Sequence, residues 1–123
     1  MITGVHHIAI ISSTEKSVVF YESLGFKEKF RKSREYDTIV LLEGYGIQLE
    51  MFIDPNHPER SVNPERIGLR HLALKVDSCE GMSKKFKCGP IKKDWLGINF
   101  CYTEDSIFYI CTVYHKSSIN FRS

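Results

Sequence analysis

One stretch occurs twice and limits what this chain can become. Near the start the sequence reads His7-Ile8-Ala9-Ile10-Ile11, and past the middle His71-Leu72-Ala73-Leu74-Lys75-Val76. Each copy is a histidine leading into small and apolar residues, the pattern of a covered strand. The copies lie about half of the 123 residues apart. That spacing predicts one supersecondary module used twice, not a solenoid of many short repeats. Two equivalent strands packed side by side would bring His7 and His71 together.

Around each copy the same order of elements is expected. Val5–Ile11 reads as a strand. Ser12-Ser13-Thr14-Glu15 has the form of a capping box, with Ser12 as N-cap. The helix it opens should end at Gly25, a residue suited to a left-handed cap. Phe26–Arg31 alternates apolar and charged residues as a half-exposed strand does. Thr38–Leu42 and Ile47–Ile53 follow as strands around the turn Gly44-Tyr45-Gly46. The second half repeats this in compressed form: strand His71–Val76, a short helix Ser78–Lys87, then strands Ile91–Lys93, Leu96–Thr103 and Ile107–His115, the last two around Glu104-Asp105-Ser106. The fold class expected is α+β, a single domain of two βαβββ modules, about 4–53 and 70–115, with the proline-rich linker 54–69 between them.

Composition excludes several functions. Net charge is +2 at pH 7, too weak a field to hold nucleic acid. No apolar run approaches the ~20 residues of a membrane helix, and the first residues lack a signal peptide's pattern. A cytoplasmic location is therefore expected. Cys79, Cys88, Cys101 and Cys111 form no C-x-x-C pair, and reduced, strand-packed thiols are expected.

In the fourth strand Ile47, Leu49, Met51 and Ile53 should share one face, and Gln48, Glu50 and Phe52 the other. A lone strand glutamate can simply face solvent, and a histidine that opens a strand can be a hydrogen-bonded core residue. Together, His7, Glu50 and His71 make a His₂-carboxylate set of the kind that holds zinc, iron, nickel or manganese. His6 should point to the opposite face from His7, and His57 should be solvated.

The motifs His6-His7-Ile8-Ala9-Ile10, Phe20-Tyr21-Glu22-Ser23-Leu24-Gly25-Phe26, Ile47-Gln48-Leu49-Glu50-Met51-Phe52 and Gly68-Leu69-Arg70-His71-Leu72-Ala73-Leu74 together resemble the vicinal oxygen chelate superfamily. The superfamily takes in glyoxalase I, bleomycin-resistance proteins, fosfomycin-resistance enzymes and extradiol dioxygenases. The resemblance is strongest to small bacterial glyoxalase-like, lactoylglutathione-lyase-like members. It implies curled mixed sheets around an open cleft, a homodimer, and a divalent metal ion held by His7, Glu50, His71 and a fourth ligand. In the family that ligand is a glutamate four residues after a turn glycine. Gly46 to Glu50 keeps that spacing, but in the second module the same count gives Ile110. A one-residue slip would present Cys111, with His115 on its face. The departure over Ser106–Ser123 suggests a diverged or frame-altered C-terminus.

The resemblance implies a metal-dependent glyoxalase-type enzyme acting on a small oxygenated substrate such as a thiol conjugate. Glu50 would be ligand and base. Arg31, Arg34 and Arg60 would grip an anionic substrate, unless they are solvated surface cations. A metal-free ligand-binding protein of the same fold, its cleft lined by Phe30, Phe52, Trp95 and Phe100, is the alternative, and an inactive remnant a third.

Overall fold

The computed structural model describes residues 1–59, 64 and 67–103, with 104 and 110–115 described by strand pairing alone. The fold is α+β, and the chain divides into two compact units, Met1–Ser61 and Val62–Ser123. Among the described residues each holds one four-stranded sheet and one short helix.

In the first unit β1 (Ile8–Ser12), α1 (Lys16–Ser23), β2 (Lys27–Ser33), β3 (Thr38–Gly44) and β4 (Ile47–Ile53) form a sheet of order β1-β4-β3-β2. β1 runs parallel to β4, and the other neighbours are antiparallel. The period of two in β4 sorts its residues as expected: Leu49, Met51 and Ile53 are buried, while Gln48, Glu50 and Phe52 are half-buried. Ile10, Val40 and Leu42 join the buried row from the neighbouring strands. Ser17, Val18 and Tyr21 of α1 close over it. Eight residues are too few for a helix to persist alone, so this packing holds α1 in place. The Tyr21 ring stands edge-on to Phe26, with centroids 5.9 Å apart.

The turns bear out two sequence cues. Gly25 takes φ +110 just past the helix, where an L side chain would be strained, and a Cβ there would strike the Tyr45 hydroxyl. That hydroxyl donates to the Leu24 carbonyl. Tyr45 and Gly46, at φ 55 and 78, make the two-residue connection of β3 to β4. This is the type I′ geometry that matches strand twist.

The capping box does not form. Ser12 is the last residue of β1 and is buried. Its hydroxyl donates to the Thr14 carbonyl at 3.3 Å and accepts from Ser17 at 2.9 Å. It is thus engaged before the helix begins at Lys16, whose N–H reaches Thr14 Oγ1 instead.

In the second unit β5 (Leu72–Val76), α2 (Cys79–Lys85), β6 (Lys92–Lys93), β7 (Asn99–Glu104) and β8 (Ile110–His115) give the order β5-β8-β7-β6, the same winding as in the first sheet. α2 is shorter than expected, because Phe86 is already extended at φ −129. Its start is well made: Ser78 Oγ accepts from Gly81 N–H at 3.0 Å. Glu80 sits in the first turn and Lys84 and Lys85 in the last, each favourable to the helix dipole. Of the turn expected at Glu104-Asp105-Ser106, Glu104 ends β7, while Asp105, Ser106 and the tail 116–123 lie outside the described residues. Among the described residues no helix is long and apolar enough to cross a membrane.

Cys79 and Cys101 are fully buried, with Cys88, Val76 and Met82 packed against them. All three cysteines are free thiols. Burial, and then the neighbouring Cys88 and Cys79, push the Cys101 thiol from 9.0 up to about 12. The folded state therefore disfavours its thiolate. The stability this thiol contributes is complete below pH 9 and is lost as pH rises from there toward 12. Urea midpoints measured at rising pH should fall across that window, and fall less in Cys101→Ala. At neutral pH iodoacetamide should leave Cys101 unmodified until the protein unfolds.

Candidate metal centre

Glu50 lies on the face of the first sheet turned away from α1. It pairs with Ala9 of β1 and Leu41 of β3. Alternation along β1 puts Ala9 and Ile11 on that face. His7 directly precedes the strand, and its Nε2 lies 3.7 Å from Glu50 Oε2, with both side chains partly exposed. That is too long for a hydrogen bond. It is close to the spacing of two donor atoms on one ion: ligands about 2.1 Å from a metal sit about 3 to 3.5 Å apart. Imidazole nitrogen and carboxylate oxygen suit such an ion, so these two residues fit the expected metal. Among the described residues no group of three or more histidine, cysteine, aspartate or glutamate side chains is gathered tightly enough to hold one.

His6 does not point away from His7. The two Nδ1 atoms are 2.9 Å apart and the rings meet edge-on, with centroids 5.2 Å apart. The strand begins only at Ile8, so β alternation does not yet govern these residues. Gln48, two residues before Glu50 on β4, donates its side-chain N–H to the His6 carbonyl at 2.9 Å.

His71 holds the same place in the second unit, directly before Leu72 of β5. Its ring meets Tyr102 edge-on at 6.1 Å, and Tyr102 meets Phe100 at 5.5 Å.

The register of β8 sets out the rows in which the candidates for the fourth ligand fall. In the first unit Ala9 pairs with Glu50, and Glu50 with Leu41. The matching row of the second unit is Ala73, Thr112 and Tyr102. Thr112 thus stands where Glu50 stands. Cys111 falls in the row of Leu72 and Thr103, and His115 in that of Val76. Those rows answer to Leu49 and Ile53, on the helix-covered side of the first sheet. A threonine in Glu50's place brings no carboxylate.

The three arginines separate. A bulge at Lys29 shifts the pairing of β2, so that Phe30 faces the Glu50 side with Leu41 while Arg31 pairs with Val40 on the helix side. Arg31 is committed there, to Glu28 through Nε and Nη2 and to Glu15 at 2.6 Å through Nη1. Its hydrogen bonds hold the Glu28 carboxyl below the usual range. Arg31 is therefore not available to a ligand on the Glu50 face. Arg34 is on the Glu50 side: its guanidinium lies 5.8 Å from the Phe52 ring centre and 4.7 Å from that of Tyr36. Asp37 clamps it by two bonds of 2.6 Å, and is held below its ordinary carboxylate value by them. Arg60 lies outside the described residues. Phe30 is 58% exposed and Trp95 90%.

No protein-family model matches the chain. Over 86 residues it is 43% identical to the uncharacterized protein YwkD of Bacillus subtilis, a stretch that takes in 65% of this chain and 66%, just under two thirds, of that relative. Over 101 residues it is 39% identical to the uncharacterized protein YaeR of Escherichia coli, covering 73% of this chain and 78% of that one. A glyoxalase family protein from Enterococcus faecalis superposes with a TM-score of 0.83 at 27% identity, over 92% of this chain and 98% of the other. Two solved structures share the fold at 16% identity. The fosfomycin resistance protein FosX of Listeria monocytogenes, complexed with Mn(II) and a dihydroxypropylphosphonic acid, has a TM-score of 0.69 over 96% of each chain. A bleomycin-binding protein complexed with bleomycin has 0.64, over 94% of this chain and 100% of the other.

Proposed function

Because the chain belongs to the vicinal oxygen chelate superfamily, we propose that it is a metal-dependent enzyme of glyoxalase type. It would isomerise a small substrate with two neighbouring oxygens, such as a thiol conjugate. The observation that carries this reading is the 3.7 Å approach of His7 Nε2 to Glu50 Oε2. His7, Glu50 and His71 would be the donors toward a divalent ion of the zinc, nickel, iron or manganese type. That ion would act as a Lewis acid on the two oxygens and lower the cost of removing the adjacent C–H proton. Glu50 serves as base: a carboxylate oxygen accepts the proton and returns it to the neighbouring carbon, so nothing else is consumed. Phe30, Phe52 and Leu41 offer apolar surface beside it. Arg34, with one edge clamped by Asp37, turns its other edge to an anionic group. The reading includes a homodimer and a cytoplasmic setting, in keeping with the free thiols.

Elemental mass spectrometry tests it. Purified protein should carry about one divalent ion per chain, the His7→Ala, His71→Ala double variant none, and the loaded protein should turn over a glutathione hemithioacetal. Protein that takes up no nickel, zinc or manganese overturns the enzyme reading. Arg34→Met should raise KM for an anionic substrate about tenfold with kcat little changed, the pattern of lost uniform binding.

Thr112 in the place of a second carboxylate, together with the exposed Phe30, favours a second reading: a metal-free protein that binds an aromatic or amphipathic ligand. A thermal-shift screen run without metal would support it through a ligand that raises Tm.

A further inference from the structure

His7 precedes its strand, so the ladder between β1 and β4, which starts at the pair Ile8 and Leu49, does not fix its ring. Two other contacts meet this segment. Gln48 holds the main chain at the His6 carbonyl, and the His6 ring meets the His7 ring at hydrogen-bond distance. His7 thus turns one nitrogen to His6 and the other to Glu50. We propose that His6, anchored by Gln48, is the positioning residue of His7: its Nδ1 accepts the His7 Nδ1–H and leaves the His7 Nε2 lone pair aimed at the space beside Glu50.

The two distances fit that assignment. At 2.9 Å one of the facing Nδ1 atoms must carry the proton. Were it on His6, His7 would carry its own proton on Nε2, and an N–H facing a carboxylate closes to about 2.7–2.9 Å. The gap there is 3.7 Å. A ligating histidine ordinarily gives its second ring N–H to an acceptor that fixes its tautomer and orientation. Here the acceptor is the preceding residue in the chain. Both rings are exposed, so solvent competes for each bond and the anchor at Gln48 matters more. This inference rests on His7 being a ligand, and its test has an arm that needs no metal.

Histidine-labelled, metal-free protein is examined by nitrogen NMR at a pH where both rings are neutral. In the native protein His7 should be the Nδ1–H tautomer. His6→Ala should return it to Nε2–H, and His6→Asn, whose side-chain oxygen can accept in place of Nδ1, should restore Nδ1–H. The same His7 tautomer in His6→Ala as in the native protein overturns the proposal. Calorimetric titration with Ni(II) is the second arm. His6→Ala should bind about 10–100-fold more weakly, and His6→Asn within about threefold of native. Unchanged Ni(II) affinity in His6→Ala, where His7→Ala abolishes it, overturns the proposal as well. If the native protein binds no Ni(II), the metal reading fails, and the tautomer measurement alone decides the role of His6.

Discussion

Tyr21→Ala is expected to lower the unfolding free energy by about 3–5 kcal/mol, the range for removing a large aromatic from a packed core. The ring is fully buried, packs edge-on to both Phe20 and Phe26, and is the largest side chain α1 turns to the sheet. Emptying its site leaves a cavity beside Phe20 and Phe26, and the sheet ladder limits how far the strands can move to fill it. Domains of this size are stable by only about 5–15 kcal/mol, so the loss corresponds to a fall in Tm on the order of 10–20 °C. Calorimetry measures it directly. Tyr21→Phe keeps the ring and should forfeit no more than about 1.5 kcal/mol, the net worth of a hydroxyl's hydrogen bond. Equal losses in the two variants would show that the hydroxyl, not the packing, holds the helix down.

Glu50→Gln is expected to weaken divalent-metal binding by about two to three orders of magnitude. Removing the charged partner of a desolvated cation costs about 3–5 kcal/mol, and every 1.4 kcal/mol is tenfold. The same substitution should leave the metal-free protein as stable as before or more so. Glu50 is only 27% exposed and its ion-pair contact is His7 at 3.7 Å, with the Arg34 charge acting on it from the same face. A group retained for function at some cost in stability behaves this way. Titration with zinc or nickel, beside a thermal melt in chelator, reads both effects. A variant that melts well below the native protein and still binds metal would make Glu50 a structural residue.

Much of this was legible in the residues. The alternation of β4, the stop at Gly25 and the duplicated order of strands follow from side-chain period and turn chemistry, which are local. The errors arose where pairing decides. Ser12 looks like a helix cap, but the strand claims its hydroxyl first. Alternation would set His6 and His7 on opposite faces, but it starts only at Ile8. The bulge at Lys29 leaves no signature in Lys27-Glu28-Lys29-Phe30-Arg31, yet it decides that Arg31 joins Glu28 and Glu15 and not the Glu50 face. Counting from a turn leads to Ile110 and, with a slip, to Cys111. Hydrogen-bonded register instead sets Thr112 opposite Ala73. Counting along a chain cannot anticipate how two strands align across a sheet.

The parallel pairing of β1 with β4 carries a kinetic consequence. β3 and β4 meet across two residues, and β2 and β3 across four, so these hairpins close cheaply and early. Residues 8 and 49 must find each other across the whole meander, and the entropy of that closure is spent before any contact repays it. The strand that follows His7 is thus expected to dock last in its unit. Pulse-labelled amide exchange during refolding should show Ile10 and Ile11 gaining protection after Val40 and Met51. The imidazole and the carboxylate would then come together only in a unit already complete, and a partly folded chain would offer a metal ion one donor at a time.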